Sequence, residues 1–169
     1  MTKKVYYNQV DYLDHNYVIA STDVGLAFVG SPNAGLDELV NFYPTATLVA
    51  DEQKNKTVMQ QMKHYIDGNK DLASVRLDIS GTPFQEAVWT ALRNVPYGTL
   101  ITYQDLANQI GRPQAAQAVG NAVGKNPALI AVPCHRVVAK NNRGSGYRGG
   151  LPMKEWLNAH EQKHLAMKK

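Results

Sequence analysis

Cys134-His135-Arg136 sets a nucleophile, a base and a cation side by side. A thiol attacks electrophiles as its thiolate, and neighbouring positive charge favours that form. His135, Arg136 and Lys140 would give Cys134 such a neighbourhood. As the only cysteine in 169 residues, Cys134 has no internal disulfide partner; it is either a small buried hydrophobe or a thiol kept for its reactivity. A second candidate is His160-Glu161-Gln162-Lys163-His164, which reads as the H-E-x-x-H pattern of zinc proteases. That chemistry needs a third ligand, and no histidine, cysteine or acidic residue follows His164.

The chain that must position these groups is 44% hydrophobic and 19% charged, which suits one ordinary domain or two small ones and excludes disordered and collagen-like classes. The first ten residues lack the apolar run of a signal peptide, and there is no membrane-length run of about 18 apolar residues. A soluble, cytoplasmic protein is expected. From Met1 to Gly81 there are 7 Lys+Arg against 10 Asp+Glu; from Thr82 onward there are 11 against 4. A basic second half suits a polyanionic partner, although a solubilising face carries the same charge.

Residues 17–20 and 26–29, separated by a turn containing Asp23 and Gly25, spell a hairpin. A short helix follows over 36–42. Val58, Met59, Met62, Tyr65 and Ile66 then share one helical face within 52–67, and 75–79 alternates like a strand. These elements predict a small mixed α/β unit over residues 1–80, with His15 and His64 on its surface and no chemistry-bearing constellation. In the remainder, Thr82, Pro83 and Gln85 form a capping box for a helix that Pro96-Tyr97-Gly98 terminates. Thr102 caps a second helix over 103–110, Gly111-Arg112-Pro113 breaks it, and a third begins near Gln114, which is helix-turn-helix spacing. Ala115, Ala116, Ala118 and Gly120 make that third helix slim, fitted either to close packing on a neighbour or to a narrow minor groove. Cys134 then falls at a bend after Pro133.

The segment PCHRVV at 133–138 resembles the active-site signature of the O6-alkylguanine-DNA alkyltransferases, the methylated-DNA-protein-cysteine methyltransferases. So do GTPFQEAVW at 81–89, VPYGT at 95–99, TYQ at 102–104, AVG at 118–120, NP at 126–127, GYRGGL at 146–151 and KEWLNAHE at 154–161. They occur in order across residues 82–161, whereas the N-terminal portion resembles the family only in size and element order. The resemblance implies an α+β protein, with a ribonuclease-H-like N-terminal domain over 1–80 and a winged-helix-like, DNA-binding and alkyl-accepting domain over 81–169. It implies a monomer acting on double-stranded DNA that carries O6-alkylguanine, leaves open whether O4-alkylthymine is a further substrate, and needs no cofactor, metal or membrane. Some relatives hold a zinc through cysteines in the N-terminal domain; no cysteine precedes Cys134 here.

Carried over residue by residue, the resemblance makes Cys134 the nucleophile that receives the alkyl group from a nucleotide rotated out of the duplex. It makes His135 the base acting through a water and Glu161 the carboxylate that orients it, an activated nucleophile with a third orienting group. Tyr103 matches the proton donor to the departing guanine, and Asn126 the residue that shapes the cysteine segment. Tyr147 matches the aromatic wall of the pocket, with Arg148 beside it on the DNA-binding side. The slim helix, through Ala115, Ala116, Ala118 and Gly120, would lie in the minor groove. Gln117 stands where the family usually has an arginine that replaces the extruded nucleotide, and Arg112, Lys125, Arg136 and Arg143 would contact phosphates in compensation. A different reading is a non-catalytic lesion sensor like the alkyltransferase-like proteins, which have another residue in place of the cysteine. A cysteine hydrolase would need a histidine from a separate element and an oxyanion site, neither of which the sequence spells.

Overall fold

The computed structural model describes residues 3–68, 71–140 and 146–167 of the chain. It is a mixed α+β protein that divides into two compact units, one of Met1–Ile79 with Pro127–Ala131 and one of Ser80–Asn126 with Val132–Lys169. Among the described residues, no helix is long and apolar enough to cross a membrane.

In the first unit, β1 (Lys4–Tyr12), β2 (His15–Ser21) and β3 (Leu26–Val29) form an antiparallel meander. Between them in the chain order and the last strand stands α1 (Leu36–Phe42); β4 (Thr47–Ala50) then pairs in parallel with β1, giving the order β3-β2-β1-β4. A 3-10 turn at Gln53–Asn55 leads into α2 (Lys56–Ile66), which buries Met62 and Tyr65 from the expected apolar face. Val5, Val18, Ala20, Phe28 and Leu39 form the core cluster. The expected hairpin is β2-β3, and His15 and His64 are exposed.

One hairpin lacks a sequence signal, and one expectation needs correction. β1 and its hairpin with β2 carry no Asn-Gly signal: the two-residue turn is Leu13-Asp14, both at positive φ, the conformation a tight antiparallel hairpin demands. Residues 75–79 are not a strand but a single bridge at Leu77, held by Leu26 N–H on the Arg76 carbonyl at 2.8 Å and Asp78 N–H on the Leu26 carbonyl at 2.7 Å. The outer edge of β3 is divided: Leu77 takes its first residue, and Ala128 bridges to Val29 at its last. Neither segment has room to extend into a ladder.

The second unit begins with α3 (Pro83–Arg93). The expected capping box is present, with Thr82 accepting from Gln85 N–H and the Gln85 side chain accepting from Thr82 N–H. Thr82→Ala should therefore cost about 1 kcal/mol in urea unfolding. β5 (Ile101–Thr102) runs directly into α4 (Tyr103–Gln109), capped reciprocally by Thr102 and Asp105. After the turn at Gly111, where φ is +74°, comes α5 (Ala116–Gly124). Gln104 Nε2 ties α4 to that turn by donating to the Pro113 carbonyl at 2.7 Å. α5 packs on both α3 and α4, with Trp89 Nε1 donating to the Ala122 carbonyl at 2.9 Å. A 3-10 turn at Cys134–Arg136 precedes β6 (Val137–Val138), which pairs in parallel with β5, and α6 (Leu151–Met167) follows.

Candidate active site

Cys134 opens the 3-10 turn, its N–H donating to the Val132 carbonyl at 2.7 Å, while Arg136 N–H closes the turn on the Pro133 carbonyl at 3.0 Å. Parallel pairing of Ile101 with Val137 and Thr102 with Val138 fixes the far end of this segment beside the start of α4. From before the turn, the Asn126 amide donates to Val132 carbonyl at 2.9 Å and to Cys134 Sγ at 3.3 Å. Arg148 in turn holds the Asn126 backbone, its Nε and Nη2 donating to that carbonyl at 3.2 and 3.0 Å.

His135 is fully buried, and its Nε2 lies 2.7 Å from Glu161 Oε2, itself 1% exposed. Arg136 forks onto the same carboxylate, with Nε on Oε1 at 2.8 Å and Nη2 on Oε2 at 2.9 Å, and its Nη1 donates to the Val95 carbonyl at 2.8 Å. Gly98 N–H adds a bond to Glu161 Oε1 at 3.1 Å, and its carbonyl accepts from Gln162. Gly98 sits at φ +77°, a left-handed conformation that favours glycine, and a Cβ there would press on the Leu165 side-chain end at 2.7 Å.

Burial alone would push the Glu161 carboxyl up, but hydrogen bonds from His135 and Arg136, together with their charges, hold it far below the usual carboxylate range. An ionised carboxylate can only accept, so the hydrogen-bond network places a proton on His135 Nε2 and leaves Nδ1 as the nitrogen whose protonation can change. Burial also dominates at Cys134, raising its thiol pKa. The Asn126 hydrogen bond and the charges of Arg148 and Lys154 act in the opposite sense without overcoming it. The resting sulfur is therefore a thiol and needs a base to become a nucleophile. In α4, the Tyr103 phenol is raised first by burial and then by the charge of Cys134, and its ring borders the position a side chain at Gly120 would occupy.

The structure thus joins Cys134, His135, Glu161, Asn126 and Tyr103 within the second unit. Tyr147 and Arg148 are partly buried on the segment before α6; Arg148 is engaged with Asn126. On α5, Gln117 and Ala118 are exposed, whereas Ala116, Gly120 and the N-cap residue Ala115 are partly covered. Arg112 is exposed, over the Phe84 ring at 6.0 Å, and Lys125 is exposed. Arg143 lies outside the described residues. One expectation is overturned: Arg136 is 1% exposed and committed to Glu161, so it cannot meet a phosphate on the surface. Composition missed it because a buried arginine and a surface arginine look alike in a charge count. Also missed were Asn158, whose amide donates to the His135 carbonyl at 2.9 Å, and Lys154, whose Nζ donates to the Val137 carbonyl at 2.7 Å. Their spacing from Glu161 along one helix is the signal that would have found them.

Among the described residues, no group of three or more His, Cys, Asp or Glu side chains is placed to hold a metal ion. His160 instead stacks on Trp156, with ring centroids 4.5 Å apart, and tilts against His164 at 4.3 Å.

A Bacillus subtilis protein named as an inducible methylated-DNA-protein-cysteine methyltransferase is 43% identical over 157 residues, spanning 90% of this chain and 88% of its own. The chain belongs to the methylated-DNA-protein-cysteine methyltransferase family. A Methanosarcina acetivorans methyltransferase of the same name is 36% identical over 148 residues, spanning 83% of this chain and 94% of its own. Residues 83–163 of this methyltransferase match the family described as 6-O-methylguanine DNA methyltransferase, DNA binding domain. Mycobacterium tuberculosis OGT, solved in complex with DNA, superposes with a TM-score of 0.80 and 31% identity over 94% of each chain. This methyltransferase is accordingly a DNA-binding DNA-repair protein.

Proposed function

We propose that the protein moves the alkyl group of O6-alkylguanine in double-stranded DNA onto Cys134, once per molecule. The observation that carries this reading is a buried thiol set at 3.3 Å from the Asn126 amide, in the same 3-10 turn as a histidine paired with an ionised carboxylate. The thiol proton passes to His135. The sulfur attacks the alkyl carbon as its bond to O6 breaks, and the electron pair leaves with guanine, which takes a proton from Tyr103. The thioether has no easy leaving path, so the protein is consumed. A flipped nucleotide, entering from the minor groove and walled by Tyr147, gives the sulfur its access; flipping costs a few kcal/mol, least for a poorly paired lesion. O4-alkylthymine offers the same alkyl-oxygen bond and is a second substrate.

We take the second unit as the DNA-binding, winged-helix-like part, with α5 presenting Gln117 and Ala118, and the first as ribonuclease-H-like, supported by its β3-β2-β1-β4 sheet. We assign the protein to the cytoplasm as a monomer. Gln117 brings no charge to the duplex, so Gln117→Arg should tighten DNA binding and steepen its salt dependence by roughly one counterion. Fluorescence anisotropy over a salt series checks this, and an unchanged slope sinks the role given to Gln117.

The test is intact-protein and peptide mass spectrometry after mixing with a slight excess of duplex carrying one O6-methylguanine. The expected result is one methyl group on Cys134, none on the Cys134→Ala variant, and guanine restored in the DNA. Unchanged mass with preferential binding of the lesion duplex would instead identify a lesion sensor.

A further inference from the structure

β1 runs from Lys4 to Tyr12, and β4 pairs only with Lys4–Tyr7. Asp51 N–H, just past β4, donates to the Tyr7 carbonyl at 2.9 Å, and the chain then enters the 3-10 turn at Gln53–Asn55. Beyond Tyr7, β1 continues with β2 along one side. The hairpin decides which backbone groups are left over. A two-residue turn at Leu13-Asp14 makes Tyr12 and His15 a hydrogen-bonded pair, and such pairs alternate along an antiparallel ladder, so Val10 with Tyr17 and Asn8 with Ile19 are hydrogen-bonded as well. Gln9 and Asp11 therefore turn their N–H and C=O groups to the other side, in the same sense as the Tyr7 carbonyl. Among the described residues, these four groups have no partner.

A cavity of about 470 Å³, the size of an ordinary ligand cleft, lies along residues 9–12. Its other wall is α2, which is tied to β1 where the Tyr12 hydroxyl donates to the Met59 carbonyl at 3.0 Å and Asn8 Nδ2 to Met59 Sδ at 3.1 Å. Lys56, Met59 and Lys63 line the cavity from α2, at positions i, i+3 and i+7 of one stripe. Met59 is partly covered. Lys56 and Lys63 are exposed, and among the described residues neither ammonium has an ion pair or a hydrogen bond. Two unneutralised cations thus stand about 10 Å apart along the helix axis. Of the two carboxylates lining the cavity, Asp11 accepts from Asn16 Nδ2 at 3.0 Å and Glu52 lies just before the 3-10 turn, so the positive charge belongs to the helix wall.

Unpaired main chain on one wall and unpaired lysines on the other fit one kind of occupant. We propose that the edge at residues 9–12 accepts a short, extended, acidic segment of another protein as an added strand. The backbone of that segment bonds to Gln9 and Asp11, and two carboxylates on one of its faces meet Lys56 and Lys63. Side chains on one face of a strand repeat about every 6.7 Å, and the lysine stems span the remaining distance. The free edge is only about 13 Å long, so an isolated peptide should bind with a Kd on the order of 1 mM.

The probe is a capped Thr-Glu-Val-Glu-Thr peptide titrated into the isotope-labelled full-length protein, with binding and amide exchange followed by NMR. A strand pairs with every second residue of an edge, so near saturation exchange should slow roughly fivefold or more at Gln9 and Asp11 and stay unchanged at Asn8 and Val10, which already bond to β2. Lys56→Glu combined with Lys63→Glu, both at exposed positions, should weaken binding roughly tenfold and shift the preference to a Thr-Lys-Val-Lys-Thr peptide. Binding without protection of Gln9 and Asp11 would be ion pairing alone and overturns the proposal. Equal affinity of the double variant for the acidic peptide overturns it too. So does an absence of binding at roughly 10 mM peptide, the result expected if the charges along this edge serve only to repel other strands.

Discussion

His135→Gln protein will methylate its Cys134 from an O6-methylguanine duplex roughly 10²- to 10⁴-fold more slowly than wild type near neutral pH, the usual worth of a positioned base. Glutamine retains a donor for Glu161, so the pairing at 2.7 Å has a substitute and the turn keeps its shape. What disappears is the nitrogen to which the proposed mechanism sends the thiol proton. Burial holds the Cys134 pKa above its ordinary 9.0, so near neutrality the thiolate must be made by a base. The sign of the pH dependence follows: as pH rises toward the thiol's own pKa, solvent removes the proton unaided, and the variant should close on the wild type. Single-turnover rates over a pH series measure this. Parallel curves would remove His135 from the role of base.

The largest stability effect is expected at Arg136. Arg136→Met leaves a carboxylate that is 1% exposed without its forked partner, and removing one member of a buried ion pair typically costs about 3–5 kcal/mol. Urea unfolding near pH 7 measures the loss. Arg136→Lys should recover only part of it, since an ammonium is a point charge and cannot span both Glu161 oxygens. The pH dependence has a definite sign. In the folded wild type the Glu161 pKa is depressed below 4.5, so its contribution is complete above that value and is lost as pH falls through the folded pKa. The gap between wild type and Arg136→Met should therefore shrink in acid. A gap that stays constant down to the acid limit would mean that the arginine stabilises by packing alone.

These residues also show what a sequence can and cannot display. Helix starts were legible because a capping box is local chemistry: Thr82 with Gln85, and Thr102 followed by α4, needed only neighbours. The β2-β3 hairpin was legible for the same reason. β1 was not, since Leu13 and Asp14 adopt a conformation that glycine or asparagine usually advertises. α6 was obscured by its function. Its buried face mixes Leu157 with Lys154, His160 and Glu161, and polar residues at core positions erase the apolar stripe. The reactive segment stood out through its residue order and family resemblance, but its wiring did not. Two of the 11 cations counted in the second half, Arg136 and Lys154, proved to be interior parts of the site. Charge composition cannot distinguish an inward cation from an outward one.

A ribosome making this chain completes Cys134 before any of the α6 residues that arm it. Lys154, Asn158 and Glu161 all emerge later, and only the folding back of their helix supplies the relay and the clasp on residues 134–138. Until then His135, next to the cysteine, stands on a growing polypeptide without its carboxylate partner. If the transfer proposed above is made once per molecule, that order is protective: the reaction is withheld from nascent or broken chains until α6 has been made and has closed.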